Sequence, residues 1–104
     1  MIIRGGENLF PAEIENVLLE HADVAEVAVV GVPDPRWGEV VACFVRPSVG
    51  AVFDPGALKA HCREHIAAQK TPQYWIEIAE WPLTGSGKIQ KFVLRDRFVA
   101  GEWA

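Results

Sequence analysis

Two β-branched runs, Glu26–Val32 (EVAVVGV) and Glu39–Arg46 (EVVACFVR), constrain this chain more than anything else in it. Each is short and rich in valine, the signature of a strand. Only Pro33 to Gly38 separates them, and Pro33-Asp34-Pro35 forces a turn there. A link of that length is too short for a parallel crossover, so the two strands pair antiparallel. Everything else must pack around that pair.

The flanking segments supply the packing. Pro11 suits the first turn of a helix, Ile14, Val17 and Leu18 follow at helical spacing, and the helix ends at His21-Ala22-Asp23. Asp54-Pro55 reads as an N-cap with proline at the first helical position, and Leu58, Cys62 and Ile66 form the apolar stripe of that second helix. Tyr74–Ala79 (YWIEIA) predicts a third strand, with Trp75 in the core. Phe92, Leu94 and Phe98-Val99 predict a closing helix. Ile2-Ile3 and Asn8-Leu9-Phe10 flank Gly5-Gly6 as a short hairpin. The expected architecture is α+β: a central three-stranded antiparallel sheet packed by helices, plus a short N-terminal β-hairpin.

With 104 residues, half of them apolar and 23% charged, the chain suits one small soluble domain. A net charge of −4 argues against a nucleic-acid binder, and no apolar run reaches membrane-spanning length. Cys43 and Cys62 fall inside regular elements, which favours buried reduced thiols in a cytosolic protein. Charge is unevenly spread. Residues 7–26 hold six acids and no Lys or Arg, whereas residues 88–97 hold four bases (Lys88, Lys91, Arg95 and Arg97) against Asp96 alone. An anionic small molecule is expected to be drawn to that end.

The loop Pro82-Leu-Thr-Gly-Ser-Gly-Lys-Ile-Gln-Lys91 offers the clearest chemistry. Thr84, Gly85, Ser86 and Gly87 permit unusual backbone geometry and close approach, and Lys88 adds a compact cation with three donors. It is not a nucleotide-binding P-loop. That motif needs glycine where Pro82 stands and Ser or Thr where Ile89 stands. His61-Cys-Arg-Glu-His65 matches the H-x-x-E-H zinc-peptidase pattern, and the two histidines share a helical face. No third ligand follows in the sequence, so a polar helix face is the better reading and no metal site is assigned. Gly5-Gly6-Glu7-Asn8 reads equally well as a plain turn or as a place where a narrow ligand passes the backbone. Trp37 is a candidate surface aromatic for stacking, and Arg36 beside it could meet a phosphate.

Taken together, residues 2–15 (IIRGGENLFPAEIE), residues 30–39 (VGVPDPRWGE) and residues 82–91 (PLTGSGKIQK) resemble the C-terminal domain of the adenylate-forming, AMP-binding enzymes. The resemblance covers essentially the whole chain, and the Gly-Gly-Glu-Asn block is most like that of acyl- and aryl-CoA synthetases. It implies a two-step ligase reaction of the kind used in fatty-acid metabolism. A carboxylic acid attacks ATP to give an acyl-adenylate and pyrophosphate, then the CoA thiol displaces AMP. The small domain is expected to rotate between the steps as a lid. Lys88 stands at the family's adenylation lysine, between the carboxylate and the α-phosphate. Gly5 and Gly6 line the pantetheine tunnel, with Glu7 and Asn8 completing that loop. Arg4, Arg36 and Trp37 are possible contacts to the nucleotide part of CoA.

ATP and CoA are thus the implied substrates, with Mg2+ in the full enzyme but not bound by this domain alone. The implied partner is an N-terminal AMP-binding domain carrying the phosphate loop, adenine pocket and acyl pocket. Residues 1–104 then read as a single lid domain cut just after the interdomain hinge and inactive by itself. The alternatives are an adenylation domain that loads a carrier-protein thiol, a stand-alone binding module, or a zinc protein using His61 and His65.

Overall fold

The computed structural model describes residues 1–103. Strand β3 (Val24–Asp34) and strand β4 (Gly38–Pro47) form the expected antiparallel pair, in register from Glu26↔Arg46 to Asp34↔Gly38. A bulge between Val24 and Glu26 turns Val24 onto the same face as Val27 and Val29. Both faces of the pair are covered, which explains why their sequences are near-continuous apolar runs and not alternating ones. One face (Val27, Val29, Val41, Cys43, Val45) meets helix α1 (Pro11–Leu19) through Ile14 and Leu18, and helix α2 (Pro55–His65) through Leu58 and Cys62. The other (Ala28, Val30, Val32, Val40, Ala42, Phe44) meets helix α3 (Lys91–Val99) through Leu94, with Trp37, Trp81 and Ile89 packed around it.

The remaining strands join this pair. Strand β1 (Ile2–Arg4) and strand β2 (Glu7–Leu9) make the N-terminal hairpin, which is not an appendage: β1 pairs with β4 at Arg4↔Gly38. The Glu39 carboxylate accepts the Ile3 N–H at 3.0 Å and reinforces the junction. Strand β5 (Tyr74–Glu77) runs parallel to β4, from Ala42↔Tyr74 to Val45↔Glu77. The α+β class stands, but the three-stranded antiparallel sheet becomes a five-stranded mixed one. The reason is the connection. Residues 48–73 carry α2 and a 3-10 turn over one face, a crossover long enough to return the chain in the parallel sense.

Local signals set the helix starts. Asp54 caps α2 by accepting the Ala57 N–H at 3.2 Å, and proline occupies the first turn of both α1 and α2. Trp75 packs against the core as a half-buried side chain, its indole N–H donating to the Pro72 carbonyl at 3.0 Å.

Candidate functional site

The Gly5-Gly6 turn is built for positive φ, with +58° at Gly5 and +84° at Gly6. Such values at both central residues define the two-residue hairpin turn that matches strand twist. The glycines nevertheless do different work. A Cβ on Gly5 would stand 2.8 Å from Cε3 of Trp37, whereas one on Gly6 would meet nothing within 4 Å. The Gly5 N–H also donates to the Trp37 carbonyl at 2.8 Å. Gly5 therefore seats an indole, and Gly6 leaves an open notch.

Trp37 is itself held. The Asp34 carboxylate accepts the Arg36 N–H at 2.8 Å and the Trp37 N–H at 2.9 Å, forming a side-chain-closed turn after β3. The guanidinium carbons of Arg4 and Arg36 lie 4.1 Å and 5.0 Å from the indole centroid. Gly5, Arg4, Arg36 and Trp37 thus form one cluster, although they come from two distant segments. Glu7 points elsewhere, accepting from Gln69 at 3.4 Å, and Asn8 is exposed on β2. Asp34 was not singled out from sequence as a positioning group; the Asp-Pro pair starting the turn was its available signal.

Lys88 sits on the returning arm of a second small hairpin, just past the Gly85-Ser86-Gly87 turn and next to the Leu83↔Ile89 bridge that closes it. The Thr84 N–H donates to the Lys88 carbonyl at 2.8 Å, and Thr84 Oγ1 accepts the Lys88 N–H at 3.1 Å. Gly87, at φ +86°, closes the turn with its N–H on the Thr84 carbonyl at 3.0 Å. The glycine loop is consequently a hydrogen-bonded turn that aims a cation, more ordered than its composition suggests. Among the described residues no hydrogen bond or ion pair links it to the Trp37 cluster.

The C-terminal bases do not act as one patch. Lys91 pairs with Glu15 at 2.7 Å, Arg97 pairs with Glu102, and Arg95 donates to the Gly31 carbonyl at 3.1 Å. Glu15 is doubly engaged, since its carboxylate also accepts the Val29 N–H at 2.9 Å. Lys88 is exposed, and its ammonium has no protein partner among the described residues. The expected anion attraction narrows to that one residue.

His61 and His65 have a third neighbour that the sequence did not reveal. One ligand-type atom each from Glu20, His61 and His65 lies within 4.8 Å of the others. The absence of a third ligand, the ground for assigning no metal, does not hold in three dimensions. Glu20 closes α1, and no spacing rule connects it to α2.

The chain's sequence and fold match known proteins. The chain belongs to the AMP-binding enzyme C-terminal domain family, whose model matches residues 13–88. Among its relatives, the mouse medium-chain acyl-CoA ligase ACSF2, mitochondrial, is 46% identical over 97 residues, covering 93% of this chain and 16% of that protein. The solved Brucella canis acyl-CoA synthetase superposes with a TM-score of 0.90 at 38% identity, over 97% of this chain and 19% of the other. A Mycobacterium tuberculosis fatty acyl CoA synthetase gives 0.88 at 41% identity, over 96% of this chain and 20% of the other. This chain therefore spans less than a quarter of the length of the relatives it matches.

Proposed function

We propose that this chain is the mobile C-terminal lid of a larger AMP-forming acyl-CoA synthetase and supplies its adenylation lysine. The observation that carries the reading is the Lys88 hairpin. A hydrogen-bonded turn presents an ammonium that has no ion-pair partner among the described residues, the state expected of a cation meant for an anion held by another domain. With ATP and a carboxylic acid in place, Lys88 would lie between the carboxylate and the α-phosphate. It would offset their repulsion as the carboxylate oxygen bonds to phosphorus and pyrophosphate leaves. The CoA thiol would then attack the acyl carbonyl, AMP leaving with the C–O bond electrons.

For that second step the domain would turn and present the Gly5-Gly6 hairpin. The open notch at Gly6 would take the narrow pantetheine arm, while the Arg4–Trp37–Arg36 stack stands beside it for the nucleotide end. Glu7 and Asn8 would border the same arm. Mg2+ belongs to ATP and the remainder of the enzyme. The one three-ligand group among the described residues is histidine-rich, a poor match for a hard cation that wants oxygen ligands. Two buried free thiols suit a reducing compartment, and the cytosol is the proposed one.

The test uses the full-length enzyme. Lys88→Ala is expected to lower acyl-adenylate formation, read by ATP–pyrophosphate exchange, by about 10²- to 10³-fold. Thioester formation from supplied acyl-adenylate should be largely spared. Equal loss in both half-reactions would defeat the assignment of Lys88 to the first step. Discharge of the adenylate onto a carrier-protein thiol in preference to CoA would replace the acyl-CoA reading with the carrier-loading one.

A further inference from the structure

We infer that Glu20, His61 and His65 form a site for a borderline transition-metal dication of the zinc class, which clips the end of α1 to α2. Two imidazole nitrogens and a carboxylate oxygen are a donor set that suits zinc. What distinguishes them from a chance surface cluster is how the imidazoles are held. His61 Nε2–H donates to the Val17 carbonyl at 2.8 Å, and His65 Nδ1–H donates to the His61 carbonyl at 2.8 Å. A carbonyl can only accept, so each bond fixes a tautomer and leaves the other ring nitrogen, His61 Nδ1 and His65 Nε2, with a free lone pair. Histidines that bind metals are oriented in this way, by the second nitrogen on a backbone carbonyl.

The surroundings favour a cation. Glu20 is the C-cap of α1 and His65 the last residue of α2, so the negative ends of two helix dipoles meet here. The last turn of α1 contains no basic residue, that of α2 carries Arg63 besides His65, and Glu20 enters no ion pair among the described residues. A tetrahedral set with bonds of about 2.0–2.1 Å places its ligand atoms about 3.3 Å apart. The trio must therefore contract. Glu20 is exposed and free to swing in, while His61, half-buried and tied to the Val17 carbonyl, and His65, tied to the His61 carbonyl, are the held members. A water would complete the coordination. The site lies with α1 and α2, on the sheet face opposite the layer that includes Ile89, so a metal here would brace the domain without touching Lys88.

The experiment titrates the metal-free 104-residue chain with Zn2+, following heat and thermal unfolding, with Mg2+ as the comparison ion. The expected result is saturation at one equivalent and a midpoint temperature that climbs with Zn2+ but not with Mg2+. Glu20→Gln and His65→Ala, both exposed positions whose folding is checked by circular dichroism, should each weaken Zn2+ affinity tenfold or more and remove the thermal shift. Binding that fails to saturate at one equivalent overturns the proposal. Unchanged affinity in both variants does so as well.

Discussion

Replacing Gly5 or Gly6 by alanine separates structural need from functional need within one turn. Both positions have positive φ, and holding an L-residue there costs about 1–2 kcal/mol. Alanine also restricts the unfolded chain, which returns about 0.4–1 kcal/mol. At Gly6 nothing further enters, because the new methyl meets open space, and the net loss is about 1 kcal/mol or less. At Gly5 the methyl would stand 2.8 Å from Trp37 Cε3. The ring cannot yield freely. Its backbone is bound to Gly5 and Asp34, and two guanidiniums flank its face. Displacing it forfeits the cation contacts, at about 0.5–1 kcal/mol each, bringing the total to about 1–3 kcal/mol. Urea unfolding of the 104-residue chain should therefore show Gly5→Ala less stable than Gly6→Ala by about 1–2 kcal/mol, with similar slopes. In a domain of this size that is roughly 5–15 °C in midpoint temperature. Equal destabilisation, or a larger effect at Gly6, would refute the role given to the Trp37 contact. Because Gly6 tolerates substitution, a bulky residue there in the full-length enzyme should slow thioester formation while sparing adenylation.

Three further outcomes follow from single environments. Lys88→Ala should leave the domain's stability within about 0.5 kcal/mol of the parent by denaturant titration, since the side chain has no partner to lose among the described residues; a marked destabilisation would mean the lysine is structural. Glu26 is held below its ordinary carboxyl range, chiefly by the Arg46 side chain and secondarily by the Trp81 indole at 3.0 Å, with burial opposing. Its contribution is thus present above roughly pH 4.3 and is lost as the pH falls from there through the lowered folded value. The pair is partly exposed, so the stability difference between parent and Glu26→Gln should stay under about 1 kcal/mol, and should shrink, not grow, on acidification. Burial pushes the Cys62 thiol up to about 11 and, aided by the nearby Cys62 and Glu15, raises Cys43 well above its usual range. A thiol reagent at pH 8 should label both only on unfolding, and rapid labelling of the native chain would contradict the packed core.

Short-range physics was legible in the sequence. Valine-rich runs on either side of Pro33-Asp34-Pro35 dictated the central antiparallel pair, and Pro11 and Asp54-Pro55 dictated where two helices begin. The Gly-Gly turn and the glycine loop were visible because left-handed backbone needs glycine. The order of three motifs was enough to point to the family.

Only the tertiary structure decided the rest, because it turns on residues far apart in the chain. That β5 lies parallel to β4 depends on the path of α2 across the sheet. That Gly5 is filled and Gly6 open depends on where Trp37 lands, and that Lys88, of the four bases in residues 88–97, is the one left unpaired among the described residues depends on Glu15, Gly31 and Glu102 meeting the other three. The histidine pair gained a third ligand-type neighbour in the same way. His61 and Val17, 44 residues apart, are joined by a hydrogen bond where α2 packs beside the end of α1, near Glu20. Sequence spacing reports neighbours along one helix or strand; contacts between elements exist only once the core has closed.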